Sequence, residues 1–246
     1  MTKKKQHSDK SSNPIVWIAG LVLACGLAVV AGLYWNQSVT VHNVSFSGYH
    51  FVELEDIEQA AQVPTGIHPD SIDFRSIIQR IETIDYVKSV HIDVEPGGDL
   101  AFEITERQPI ALLMKGSSKM YVDADGVALP IILEKSQDVP LVYGFNASQK
   151  DTLSSTSFSQ IRDFLVEAQQ KPLGWTTISE VIFTKEEGVT ALSHENGVKL
   201  LFGYNDFSDK LANWETFYAE VIREKGIERM RQVDLRFKNQ VVTKEI

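Results

Sequence analysis

The chain has 246 residues, 24 Lys and Arg against 33 Asp and Glu, a net charge of −9 and 43% hydrophobic residues. An acidic balance of this kind argues against a polyanion-binding surface, and one cysteine excludes a disulfide framework. The length suits one or two domains with enough apolar material to pack without staples.

Residues 1–14 are polar and aperiodic, with Lys3, Lys4, Lys5 and Lys10 against Asp9. They are expected to form a disordered cytoplasmic tail. Residues 15–35, IVWIAGLVLACGLAVVAGLYW, carry no charge over 21 positions. At about 1.5 Å rise per residue, that run matches the ~30 Å hydrocarbon core of a bilayer. Trp17 and the pair Tyr34-Trp35 suit the two interfacial belts, and Pro14 suits a helix start. A cleaved signal peptide has a shorter apolar core of ~7–15 residues. A soluble core helix would not be apolar all round. One permanent transmembrane helix is therefore expected. The lysines place the N-terminus in the cytoplasm and everything after residue 35 outside. Cys25 lies within this stretch, so the exterior has no cysteine.

After the span, Val39, Val41, Val44 and Phe46 alternate as a strand, with a slip near His42-Asn43 that reads as a bulge. Val52 to Ala61 reads as a helix with Leu54, Ile57 and Ala61 on one face. Asp70 or Ser71 is the expected N-cap of a second helix. Its stripe is Phe74, Ile77, Ile78, Ile81 and Ile84, and Arg75 and Arg80 are expected to face water. Strands at Val87–Val94 and Leu100–Glu106 flank the turn Pro96-Gly97-Gly98. The order is β-α-α-β-β.

A second region follows. Met120 to Leu129 reads as a hairpin turning at Asp125-Gly126. Asp123 and Asp125 lack the further oxygen ligands of a calcium loop, so a plain Asp-Gly turn is expected. Val139 to Gly144 is a short strand. Phe158 to Gln169 is a helix with Phe158, Ile161, Phe164, Leu165 and Ala168 inward. Strands are predicted at 178–184, 189–193 and 198–202, then a helix over 210–223. Leu211, Trp214, Phe217, Tyr218 and Val221 form that helix's stripe, with Trp214 and Phe217 read as core. Strands at 232–237 and 240–245 end the chain. The fold class is α+β: one N-terminal transmembrane helix, a β-α-α-β-β domain, and a mostly antiparallel β domain with flanking helices.

No catalytic constellation is visible. His7, His42, His50, His68, His91 and His194 are scattered, without an H-x-x-x-H pair or an exterior cysteine. Neither G-x-S-x-G, a Walker A loop, nor G-x-G-x-x-G after a strand occurs. The expectation is a protein that is not an enzyme, with no cofactor and no metal.

Residues 39–113 resemble a POTRA domain. Gly48 closes the first strand, "DYVKSVHIDVEPGGDLAFEITERQPIA" spans the two later strands, and Glu106-Arg107-Gln108-Pro109-Ile110-Ala111 resembles an E-R-x-P-x-A exit. The tail, the span, this domain and residues 114–246 in sequence resemble the FtsQ/DivIB family of bacterial division proteins. "VDLRF" from Val233 stands where that family has V-D-L-R-Y. "GVKLLFGYNDFSDKLANW" carries its Gly203, Asp206, Lys210 and Leu211, and "YVDADGVAL" is similar to VDxxGxxF.

The resemblance implies a non-enzymatic, bitopic scaffold of the inner membrane, concentrated at the division septum. The implied partners are FtsB, which adds a strand, and FtsL. The partner-binding positions carried over are Arg236, Phe237, Lys238, Asn239, Gln240 and Val241, read as an open edge on which Arg236 meets a partner carboxylate. The POTRA-like part implies recruitment of other septal proteins through the helix Val52 to Ala61 or the strand after Tyr86. Phe237 replaces a family tyrosine, Gln240 replaces a common glycine, and Lys185 stands near a family arginine. The competing reading is a POTRA component of secretion or outer-membrane assembly. That class carries repeated units and a barrel.

Overall fold

The computed structural model describes residues 14–116, 118–145, 147–238 and 240–246. The expected tail up to residue 13 lies outside the described residues. Helix α1 runs Pro14–Ser38. Its described side chains from Trp17 to Val30 are all exposed, and no other atom lies within 4 Å of a Cβ built on Gly20 or Gly26. Among the described residues no helix is long and apolar enough to cross a membrane.

The first sheet holds β1 (Val44–Ser47), β2 (Val87–Val94) and β3 (Leu100–Glu106) in the order β1-β3-β2. β1 runs parallel to β3, and β2 runs antiparallel to it. Helices α2 (Leu54–Ala61) and α3 (Phe74–Ile81) cover one face. Phe102, Leu100 and Ile104 meet Ile57, Ala61, Ile77 and Ile81 there, each at most 2% exposed. The chain order β-α-α-β-β is the one expected.

Several details of this lobe differ from expectation. β1 starts only at Val44, because Val41 pairs instead with the loop after α2, donating to the Ile67 carbonyl and accepting from Gly66 N–H. The N-cap of α3 is Asp73, whose carboxylate takes Ser76 N–H; Asp70 and Ser71 form a short 3-10 turn. Arg80 does not face water. Its guanidinium donates to the Ala60 and Ala61 carbonyls at the C-terminus of α2, where a cation suits the helix dipole.

The second sheet has nine strands in the order β12-β11-β10-β9-β8-β7-β4-β5-β6. The strands are β4 (Pro109–Lys115), β5 (Ser118–Asp123), β6 (Ala128–Leu129), β7 (Leu141–Tyr143), β8 (Ile178–Thr184), β9 (Gly188–Ser193), β10 (Lys199–Gly203), β11 (Met230–Asp234) and β12 (Val242–Glu245). The sheet is mostly antiparallel, as expected, with five antiparallel pairs and three parallel ones among the described residues. β7 runs parallel to both β4 and β8, and β10 runs parallel to β11. Each parallel step needs a long crossover, and the helices supply two of the three: α4 (Thr156–Gln169) with α5 (Pro172–Thr177) before β8, and α6 (Phe207–Phe217) before β11.

The expected stripe of α4 is fully inward: Phe158, Ile161, Phe164 and Leu165 are 0% exposed. Phe164 packs on Phe202 with ring centroids 4.6 Å apart. Trp214 is likewise 0% exposed and donates its indole N–H to Thr177 Oγ1 at 2.8 Å. The helix predicted through 210–223 loses α geometry at Tyr218, where a π turn runs Tyr218–Ile222.

Candidate functional site

The two ends of the larger sheet are unlike. β6 is buried and its free side is bonded by the segment around Asp151, whereas among the described residues β12 pairs with β11 alone. The β12 end is built from the two motifs that the sequence places 31 residues apart, Gly203 and Asp234.

Val233 is 0% exposed within the main core, so Asp234 turns to the opposite face of the sheet. Leu235 continues the pairing past the end of β11, donating its N–H to the Leu201 carbonyl at 2.9 Å. Arg236 then folds back. Its Nε and Nη2 donate to Asp234 Oδ1 and Oδ2 at 2.9 and 2.6 Å, and its own N–H donates to Oδ1 at 3.1 Å. This is a bidentate fork, the strongest form of the contact. Burial pushes the Asp234 carboxyl up, but the Arg236 hydrogen bonds and charge outweigh it, and the net shift is downward.

Gly203 makes this possible. Its φ is +78°, and a Cβ there would stand 3.2 Å from Arg236 Cγ. A Cβ on Gly188 would collide with the Gly203 backbone. Lys210, 9% exposed, donates to the Asn205 carbonyl, and burial lowers its pKa. An open groove of about 500 Å³ lies between Asn205, Asp206, Asp209 and Lys210 on one side and Phe237 and Lys238 on the other.

The residues expected as an edge strand are therefore not on it. Arg236, Phe237, Lys238, Gln240 and Val241 form the connection between β11 and β12, and Asn239 lies outside the described residues. Arg236 is held by Asp234, so the expected free partner for a carboxylate is already engaged. The D-x-R spacing in "VDLRF" is the signal that marks this pair. Phe237 is 45% exposed, Lys238 and Gln240 are exposed, and Val241 packs against the main core. Lys185 is exposed; its carbonyl accepts from the Tyr204 hydroxyl.

The edge itself is Val242–Glu245, in register Asp234↔Val242, Val233↔Thr243 and Gln232↔Lys244. Ile246 N–H donates to the Arg229 carbonyl at 3.0 Å. In an antiparallel ladder the backbone groups of alternate residues face opposite sides. Lys244 and Val242 therefore face β11, and Thr243 and Glu245 point their N–H and C=O to the open side. Val242 is 43% exposed. The strand expected over 240–245 contains these positions, whereas the partner-binding residues carried over from the family motif, 236–241, precede them.

No group of three His, Cys, Asp or Glu side chains among the described residues converges to hold a metal. Asp123 is a turn residue: its Oδ1 accepts from Asp125 and Val127 N–H, and its Oδ2 accepts from Arg107 at 2.7 Å.

Residues 108–244 match the family model described as FtsQ/DivIB, C-terminal related. The cell division protein FtsQ of Salinibacter ruber is 26% identical over 97% of this chain and 94% of its own length. That of Rhodothermus marinus is 24% identical over 90% and 82%. That of Streptomyces collinus is 31% identical over 56% and 57%. Among solved structures, the major extracytoplasmic domain of the trans isomer of DivIB from Geobacillus stearothermophilus is similar over 48% of this chain and 97% of that one. That match has 19% identity and a TM-score of 0.33.

Proposed function

The chain belongs to the FtsQ/DivIB family and is a cell division protein, and on that premise we propose a non-enzymatic scaffold that receives a partner strand on β12. The observation that carries this reading is the sheet order, which leaves β12 as the outer strand with Thr243 and Glu245 directed outward. A row of unpaired backbone groups is a template for strand addition. Phe237 and Val242 add exposed apolar area beside it. The partner in this reading is FtsB, accompanied by FtsL, and Arg236 acts by shaping the connection rather than by meeting the partner.

The proposal includes an anchor. Helix α1 exposes apolar side chains throughout its described part, and the sequence continues the apolar run on both sides. With the lysine-rich tail, this supports a single-pass protein of the inner membrane, N-terminus cytoplasmic and both sheets periplasmic, gathered at the septum. The β-α-α-β-β lobe serves as a POTRA-type recruitment module for other septal proteins.

The test is calorimetric titration of the full chain in detergent with a peptide from the membrane-distal end of FtsB of the same organism. Binding is expected, weakened at least ~10-fold by Phe237→Glu, with unchanged circular dichroism. No binding by the parent chain would sink the partner assignment.

A further inference from the structure

Two lobes joined in one chain ordinarily move against each other unless their interface is large and apolar. Here the connection has no slack. β3 ends at Glu106 and β4 begins at Pro109, leaving Arg107 and Gln108 between the sheets. Glu106, 7% exposed, accepts the N–H groups of Phe51 and Val52 at 2.9 Å each, which ties the exit of β3 to the entry of α2.

The apolar core also crosses the joint. Tyr121 and Leu129 of the larger sheet are 3% and 0% exposed within the cluster of the smaller lobe. Phe51 stacks on Tyr86 with ring centroids 4.5 Å apart, and the Tyr86 hydroxyl donates to the Pro130 carbonyl at 2.6 Å. Burial pushes the Tyr86 phenol well above its ordinary pKa, so it stays a donor throughout the neutral range.

One ion pair ties the connector to the larger sheet. Arg107 Nη1 lies 2.7 Å from Asp123 Oδ2, with side chains 20% and 4% exposed. The other Asp123 oxygen organises the β5–β6 turn. Asp125 of that turn meets Arg107 at 3.3 Å and Lys88 of β2 at 2.9 Å. The carboxylates of the turn thus hold both the connector and the neighbouring strand of the small sheet. More exposed bridges, Lys135 to Glu53 and Lys150 to Asp85, span the same joint and count for less.

We propose that the two sheets form one unbending body, latched by Arg107 and Asp123, so that β12 sits at a fixed position relative to the small lobe. This inference does not depend on what binds β12. It concerns geometry within the chain alone.

The test is a distance distribution between nitroxide labels at Glu103→Cys and Glu186→Cys, both exposed positions, in the full chain in detergent with Cys25→Ala. One narrow distance is expected. Arg107→Gln is expected to broaden it at least twofold with unchanged circular dichroism, and Asp123→Asn, which keeps an acceptor for the turn, should do the same. Arg162→Gln, which removes an exposed pair within one helix, should leave the width alone. A broad or two-peaked distribution in the parent would overturn the proposal. So would an unchanged width in Arg107→Gln.

Discussion

The nine-stranded sheet closes one end and leaves the other open. At the β6 end the chain returns on itself: Ala128 N–H donates to Asp151, Lys150 N–H to Ala128, and Leu153 N–H to Gly126. Ala128 and Leu129 are 0% exposed, and the small lobe covers what the return does not. At the β12 end no such return occurs among the described residues, and Phe237, Val242 and Ile246 are 45%, 43% and 92% exposed. An open edge invites unwanted pairing, so folded chains usually blunt it. The same sheet blunts one edge with its own backbone and keeps the other short and charged through Lys244 and Glu245. On the proposed reading, the second edge is the one that receives a partner strand.

If the closed end is structural, damaging it will cost the most. Leu129→Ala removes a fully buried side chain where both lobes meet and is expected to cost about 2–5 kcal/mol. At about 2–4 °C per kcal/mol for a chain of this size, the melting temperature should fall by roughly 4–20 °C. Differential scanning calorimetry reads this directly. A fall within ~1 °C would mean that the two lobes do not share a core there.

The open end should be cheaper to damage. Asp234→Asn loses the fork to Arg236, at about 1–2 kcal/mol, the lower part of the range because the Arg236 side chain is 36% exposed. The pair also sets a pH dependence. The folded-state pKa of Asp234 is lowered, so its contribution is present above the unfolded value of about 3.9 and is lost as pH falls through the folded value. The parent chain should therefore lose stability more steeply than Asp234→Asn below about pH 4. Parallel slopes in thermal melts across pH 6 to pH 2.5 would show that the fork contributes nothing.

The same contrast separates what was legible in the sequence from what was not. Periodicity placed Phe158, Ile161, Phe164 and Leu165 of α4 and the core position of Trp214, because a helical stripe depends only on local spacing. The strands Val87–Val94 and Leu100–Glu106 were bounded correctly for the same reason. The parallel pairing of β7 with β4 and β8 was not legible, since pairing partners lie far apart in sequence and alternation is the same in either direction. α5 was missed: Pro172-Leu-Gly-Trp-Thr-Thr holds helix-disfavouring Gly and Thr, and its packing against α4 and α6 overrides their propensity. At the candidate site, motif matching pointed to residues 236–241, whose described members form the connection between β11 and β12 and not a strand. Which residues face outward depends on the register of β12 against β11, and no local pattern encodes that.

That register yields the finest test of the open end, with the smallest expected effect on stability. Thr243 directs its N–H away from β11, so Thr243→Pro removes no ladder hydrogen bond and should cost less than about 1 kcal/mol. Lys244 directs its N–H toward β11, so Lys244→Pro should cost at least about 1 kcal/mol more. Stability and peptide binding are then read on the same two variants. Near-parental stability with lost binding in Thr243→Pro would locate strand addition on the outer side of β12. Equal stability losses in both would refute the assigned register. Full binding by a stable Thr243→Pro would move the partner off the edge and onto the groove beside Phe237, where side chains rather than backbone would have to recognise it.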